Sequence, residues 1–155
     1  MRVSREIITL MTLSAFLVRE GFRQIALSRS GVGHFHAEGS LSGSPVAVLI
    51  DTGAASTVVS LSRARQLGLT VNKLEMKGGG AGGAQLEIFH LADATLLLGD
   101  VQPRYRALLA MDLTHVNQSL ALKGESPVDV ILGADILEMH SAVIDYGTSS
   151  LFLRL

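Results

Sequence analysis

Apolar positions recur along the chain in two rhythms. From Ile7 to Val18 they are nearly continuous, whereas beyond Phe22 they come in short runs separated by glycine and hydroxylated residues. The first stretch predicts an N-terminal helix from Ser4 to about Glu20, capped by Ser4, with Ile7, Leu10, Met11, Leu17 and Val18 on one side. Ile8, Leu13 and Phe16 fall on its other side, so it is expected to pack on both faces or against another subunit. The short runs predict strands over Phe22 to Leu27, His34 to Ser40 and Val46 to Ile50, the last two joined as a hairpin through Leu41 to Pro45. A two-turn helix follows, with Ser60 as its cap, Leu61 to Leu67 as its body and Gly68 as its stop. Further strands are predicted at Val71 to Met76 and Gln85 to His90, flanking a loop from Lys77 to Gly83, and at Leu96 to Leu98 and Tyr105 to Ala110. Asp112 can cap a helix from Leu113 to about Lys123, closed by Gly124. The strand Val128 to Leu132, a short helix from Gly133 to Met139 and a hairpin of Ala142 to Ile144 with Leu151 to Leu153 complete a mainly β chain.

Composition narrows the class. The 155 residues, 48% of them hydrophobic and 17% charged, hold enough apolar material for one core and too little length for two full domains. Thirteen basic and 14 acidic residues leave a formal charge of −1, which excludes a largely disordered chain and gives no cationic footprint for nucleic acid. With no cysteine there is no disulfide framework, thiol nucleophile or zinc-thiolate site. The run from Ile7 to Val18 is well short of the roughly 20 apolar residues that span a bilayer, so no membrane span is expected. Arg2 and Arg5 precede it as a secretory n-region would, but Arg19 and Glu20 follow it without a small-residue cleavage site. The expected location is therefore cytoplasmic, with a signal segment as the alternative, and the expected division is a helix at 1–20 followed by one domain at 21–155.

The strongest chemical signal is Val46-Ala47-Val48-Leu49-Ile50-Asp51-Thr52-Gly53-Ala54. An apolar strand here delivers a carboxylate onto a turn of small and hydroxylated residues, which is costly unless amides, hydroxyls or a second acid compensate it. Taken alone, the spacing also suits an aspartate that merely stabilises a strand-to-loop turn. A second element, Ile131-Leu132-Gly133-Ala134-Asp135-Ile136-Leu137, runs an apolar strand through one glycine into a short helix.

With the glycines of 78–83 between them, these two elements resemble the retropepsin-like aspartic proteases. A finer match, to bacterial single-domain aspartyl proteases, comes from Gly33-His34, Leu67-Gly68-Leu69, Met111 through Asn117, Leu132 through Leu137 and Ala142 through Tyr146, and covers roughly residues 21 to 155. The resemblance implies a closed-barrel-like acid-protease fold with short helices. It implies Asp51, Thr52 and Gly53 as the catalytic turn, and peptide contacts from Ala54, Ala55, Gly78, Gly79, Gly80, Ala81, Gly82, Gly83 and Ile131. In this family a water between two close carboxylates attacks the amide, one acid staying protonated while the other acts as base. Asp-Thr-Gly occurs once, so the second carboxylate must come from a second copy and the active species is expected to be a homodimer cleaving peptides or proteins. Viral members carry an Arg after the Leu-Gly glycine that pairs with an Asp four residues past the catalytic one. Ala134 and Ala55 stand at those positions here, so the dimer is expected to be held otherwise, by the N-terminal helix or by Leu151 to Leu155.

Other readings of the residues are weaker. Ala142 through Gly147 echoes Val48 through Gly53, but Tyr146 lacks the compact hydroxyl, and Asp145-Tyr146-Gly147-Thr148 reads as a hairpin turn. Gly78 through Gly83 fits G-x-G-x-x-G, with Asp100 downstream, but no buried strand precedes it and no full helix follows. No Lys-Ser/Thr follows the glycines, which excludes a phosphate-binding loop of the P-loop type. His34 and His36 would share a strand face, yet no third ligand is evident in the sequence, and His90, His115 and His140 are scattered, so no metal or cofactor is expected. Ser56 and Ser60 show no nucleophile-elbow pattern. The resulting expectation is a homodimeric aspartic endopeptidase, with a non-catalytic peptide-binding or regulatory module on the same fold as the alternative.

Overall fold

The computed structural model describes residues 10–79 and 85–155. The chain opens with α1 (Leu13–Arg19), β1 (Phe22–Ala26), β2 (Ser28–Arg29), β3 (Phe35–Leu41), β4 (Ser44–Ile50), β5 (Val58–Ser60) and α2 (Leu61–Gln66). It continues through β6 (Thr70–Gly79), β7 (Gln85–Ala92), β8 (Leu96–Leu98), β9 (Leu108–Met111), α3 (Thr114–Leu122), β10 (Val130–Leu132), α4 (Ala134–Met139), β11 (Val143–Asp145) and β12 (Ser150–Arg154). A nine-stranded sheet runs β2-β3-β4-β10-β5-β9-β7-β6, with β8 paired to β3, and a three-stranded sheet runs β1-β12-β11. The mainly β expectation is therefore met.

Alternating burial explains which face of each strand turns inward. Val46 and Val48 of β4, Phe35 and Ala37 of β3, and Leu96 and Leu98 of β8 all point into one central cluster. β10 reads as a continuous apolar run because it is covered on both faces: Val130 and Leu132 enter that cluster, while Ile131 enters a second one with Leu49, Leu113, Leu120 and Val128.

Several boundaries differ from the expectation for local reasons. The N-terminal helix begins at Leu13, where Thr12 rather than Ser4 is the cap: its hydroxyl accepts from Ala15 N–H at 3.1 Å, and residues 10 and 11 are not helical. The part of the expected helix at 4–9 lies outside the described residues. The loop expected from Lys77 starts later, since β6 continues through Gly79 and pairs Lys77, Gly78 and Gly79 with Glu87, Leu86 and Gln85 after a register shift beyond Lys73. β10 starts at Val130 rather than Val128, because the Val128 amide and carbonyl are both taken by the Asn117 side chain. Tyr105 lies outside β9, its hydroxyl donating to Ala94 O at 2.8 Å. α3 starts at Thr114 with Leu113 in the cap position, so Asp112 stands one residue before the expected cap; its carboxylate still accepts from Thr114 N–H at 2.9 Å, and the Thr114 hydrogen bond holds its carboxyl below the usual range.

The C-terminal strand is not a free edge. β12 is hydrogen-bonded to β1 on one side and β11 on the other, and Leu151, Phe152 and Leu153 are fully buried. Leu151 to Arg154 is thus committed within its own chain, leaving Leu155 half exposed beyond the strand. By contrast, α1 buries only Leu17, against Phe22 and Phe152, and leaves Leu13, Phe16 and Val18 exposed.

Asp145 ends β11 as the anchor of a turn: its carboxylate accepts from Thr148 Oγ1 at 2.7 Å and Gly147 N–H at 2.9 Å. These bonds, that of Thr148 first, hold its pKa below the ordinary carboxylate value. A carboxyl depressed in the folded state contributes stability above its unfolded pKa and loses it as pH falls through the folded value. Asp145→Ala should therefore lower Tm at neutral pH, and the gap to the parent should close below about pH 4. A gap unchanged at about pH 2 would contradict this role.

Candidate active site

Asp51 sits where β4 leaves the sheet. β4 pairs in parallel with β10, Val48 beside Val130 and Ile50 beside Leu132, and the pairing is carried one residue further by Asp51 N–H donating to Leu132 O at 3.0 Å. The chain then turns, with Ala54 N–H donating to Asp51 O at 3.2 Å. Gly53 N–H donates to the Asp51 carboxylate at 2.9 Å, the one hydrogen bond that side chain makes among the described residues. A Cβ at Gly53 would stand 3.3 Å from the same oxygen, a tight contact that the carboxylate would have to yield to. Asp51 is half-buried, and Thr52 and Gly53 are exposed, so the turn presents one carboxylate and one hydroxyl at the surface.

The segment after the turn is locked to the β10–α4 junction. Gly133 passes so close beneath it that a Cβ would lie 2.7 Å from Ser56 C and O and 2.8 Å from Ala54 O. Ala134 N–H donates to Ala54 O at 2.7 Å and Asp135 N–H to Ala55 O at 3.3 Å. At the centre is Thr57, 1% exposed, whose hydroxyl donates to Asp135 Oδ1 at 2.7 Å and accepts from Gly133 N–H at 3.0 Å. The same carboxylate oxygen accepts from Thr57 N–H at 2.9 Å and Ile136 N–H at 2.8 Å.

This lock brings together the two segments that the viral Arg–Asp pair would join, using backbone bonds at Ala55 and Ala134 and a Thr–Asp contact two residues beyond the first and one beyond the second. Thr57 and Asp135 are the residues that sequence reasoning missed. The available signal was a hydroxyl just before the short strand β5, and β5 itself went unrecognised because its three residues merge into the cap of α2.

The remaining predicted residues divide. Ala54 is half-buried against the cluster that holds Ile131, and Ala55 is exposed. Ile131 is 8% exposed in the chain as described. Gly78 and Gly79 end β6, whereas Gly80, Ala81, Gly82 and Gly83 lie outside the described residues. A recess of about 320 Å³ opens beside Thr52, between Ala134, Leu137 and Glu138 of α4 and the residues Ser141, Ala142 and Ile144. His140 is a core residue at 1% exposure, accepting from Arg104 N–H at 2.8 Å and bonded to Arg154 O at 2.8 Å.

A strand-borne acid, a glycine threaded beneath its loop and this order of strands define the class: an acid-protease fold. The Aspartyl protease family model matches residues 37–136, and the chain belongs to that family. Its structure is similar to a retropepsin-like aspartic protease from Rickettsia conorii, with a TM-score of 0.54 and 17% identity over 85% of this chain and 90% of that one. The retroviral protease-like domain of Ddi1 from Leishmania major gives a TM-score of 0.53 at 19% identity, covering 76% of this chain and 86% of that one. EIAV protease, solved with the inhibitor HBY-793, gives 0.50 at 24% identity over 72% of this chain and 92% of that one. No curated protein sequence matches the chain. These likenesses establish a retropepsin-like fold. No described helix is long and apolar enough to cross a membrane.

Proposed function

We propose that the chain is an aspartic endopeptidase whose active form is a homodimer, with 21–155 as the catalytic unit and the first 20 residues as a separate N-terminal segment. The observation that carries this reading is the single Asp51-Thr52-Gly53 turn, braced by Gly133 and the Thr57–Asp135 contact, with its carboxylate at the surface. One chain supplies half of a carboxylate pair, and a two-fold axis through the turn supplies the other half. Two such acids hold a water between them and share one proton, because like charges a few ångströms apart cannot both ionise. The ionised Asp51 takes a proton from the water as it attacks the amide carbonyl, and the protonated one gives its proton to the carbonyl oxygen; the proton taken from the water then passes to the leaving amine as a hydroxyl of the tetrahedral intermediate returns its own to the second carboxylate. Thr52 hydroxyls would join the two turns beneath the acids. Ala54, Ala55 and Ile131 would line the peptide site, and the segment from Gly78 to Gly83 would cover it.

The subunits need a contact that β12, paired on both edges, does not offer. The exposed apolar side chains of α1 supply a candidate in its place.

The test is a dilution series of pure protein on an unfolded substrate. Specific activity should fall through the dimer dissociation constant and be blocked by pepstatin. With exchanging subunits, a tenfold excess of the Asp51→Asn chain should cut wild-type activity to roughly a tenth through mixed dimers. Concentration-independent activity from a species that sediments as a monomer would refute the dimer. Pepstatin binding without any cleavage would leave the peptide-binding module as the correct reading.

A further inference from the structure

Away from the Asp51 turn, His34, His36 and Glu125 bring one ligand atom each to within 4.8 Å of the other two. Three separate pieces of local structure fix them. His34 closes a turn in which Ser30 N–H donates to His34 O at 2.8 Å, His34 N–H donates to Ser30 Oγ at 3.0 Å, and Gly33 takes a φ of +93°. His36 lies on β3, opposite Ser28 of β2 and Leu49 of β4. Glu125 follows α3 by way of a left-handed Gly124 at φ +74°, with Gly124 N–H donating to Ala121 O and Glu125 N–H to Leu120 O, both at 3.0 Å. That is the Schellman closure of a helix, and it aims the residue after the glycine in one direction.

The Glu125 side chain is only 4% exposed, a costly place for a carboxylate unless cations or donors surround it. One oxygen receives the Ser30 hydroxyl, and the other lies 2.9 Å from His34 Nδ1. A simple His34–Glu125 ion pair accounts for those contacts, but it leaves unexplained why His36 turns a second imidazole to the same point. His36, Glu125 and Ser30 also line an open depression of about 750 Å³, so a cation and a further small ligand can reach them.

We propose that His34, His36 and Glu125 form a binding site for a divalent cation of the zinc class, with a fourth position open to solvent. Two imidazole nitrogens and one carboxylate oxygen are the donor set of such ions, whereas calcium and magnesium call for oxygen ligands. The bound ion clips the end of α3 to the β2–β3 turn and to β3. Because His36 lies opposite Leu49 on β4, it also stiffens the strand that carries Asp51. The sequence placed the two histidines on one face, and the fold supplies the distant carboxylate that completes the set.

The experiment uses the full chain, stripped with a chelator and dialysed, so that its outcome is independent of peptidase activity. Titration with zinc chloride should show one ion per chain and a rise in Tm, and cobalt chloride should give the intense visible absorption of a four-coordinate site. His36→Ala and Glu125→Gln should each weaken zinc binding by at least about tenfold, while His115→Ala, at an exposed histidine on α3, should leave the titration unchanged. Zinc binding that survives His36→Ala undiminished would reduce the cluster to the His34–Glu125 ion pair. A weak, six-coordinate cobalt spectrum of the parent chain would overturn the site even if the variants failed to fold.

Discussion

Asp51→Asn should leave a folded chain that associates like the parent and cleaves peptides roughly 10³- to 10⁴-fold more slowly. Asparagine is close to isosteric, and its carbonyl oxygen can still accept the 2.9 Å hydrogen bond from Gly53 N–H, so the turn has no reason to open. The half-buried setting of Asp51 gives the amide no large desolvation advantage over the acid, which limits any change in stability. What disappears is the titratable group: an amide neither takes a proton from water nor returns one to the leaving amine. Circular dichroism and sedimentation should therefore match the parent while turnover of a fluorogenic peptide collapses. Turnover within about tenfold of the parent would remove Asp51 from the chemistry. Asp135 would not be its replacement, because its Oδ1 is committed to Thr57 and Ile136. Asp145 is engaged likewise, by Gly147 and Thr148.

What was legible in the sequence had local causes. Asp51 announced itself because β4 is apolar up to the acid and the turn beyond it is not, a contrast that needs no tertiary information. The closing hairpin was legible because Asp145 and Thr148 make their turn contacts within four residues. Elements with distant causes were not. β5 is three residues long and becomes a strand by lying between β10 and β9. The Thr57–Asp135 contact joins positions far apart in sequence, and neither residue stands out from its neighbours. Glu125 reads as one acid in a polar loop until Gly124 and the end of α3 turn it toward His34. The N-terminal helix failed in the other direction: its apolar run is long, but the hydroxyl of Thr12 offers a cap well inside it, and the helix starts there.

Gly133→Ala tests the feature on which the rest of the site leans. Gly133 has φ −104° and ψ −176°, extended backbone open to any residue, so alanine brings no conformational strain of its own. The cost is steric and falls on backbone atoms: the new methyl group would lie 2.7 Å from Ser56 C and O and 2.8 Å from Ala54 O. No side chain can rotate away to relieve that. Either β10 or the 54–56 segment must move, stretching the bonds from Gly133 N–H to Thr57 and from Ala134 N–H to Ala54. Overpacking of this kind costs about 3 kcal/mol, a large part of the stability of a domain this size. The displaced segment begins three residues beyond Asp51, and a shift of about 1 Å in a catalytic group is enough to lower turnover roughly 100-fold. Urea unfolding should show the midpoint moving down with an unchanged slope, and activity should fall even at low urea, where the variant is folded. Gly31→Ala, where an added Cβ meets nothing within 4 Å, is the matched control and should change neither. A Gly133→Ala protein as stable and as active as that control would mean that the chain does not pass beneath the Asp51 loop as closely as these distances require.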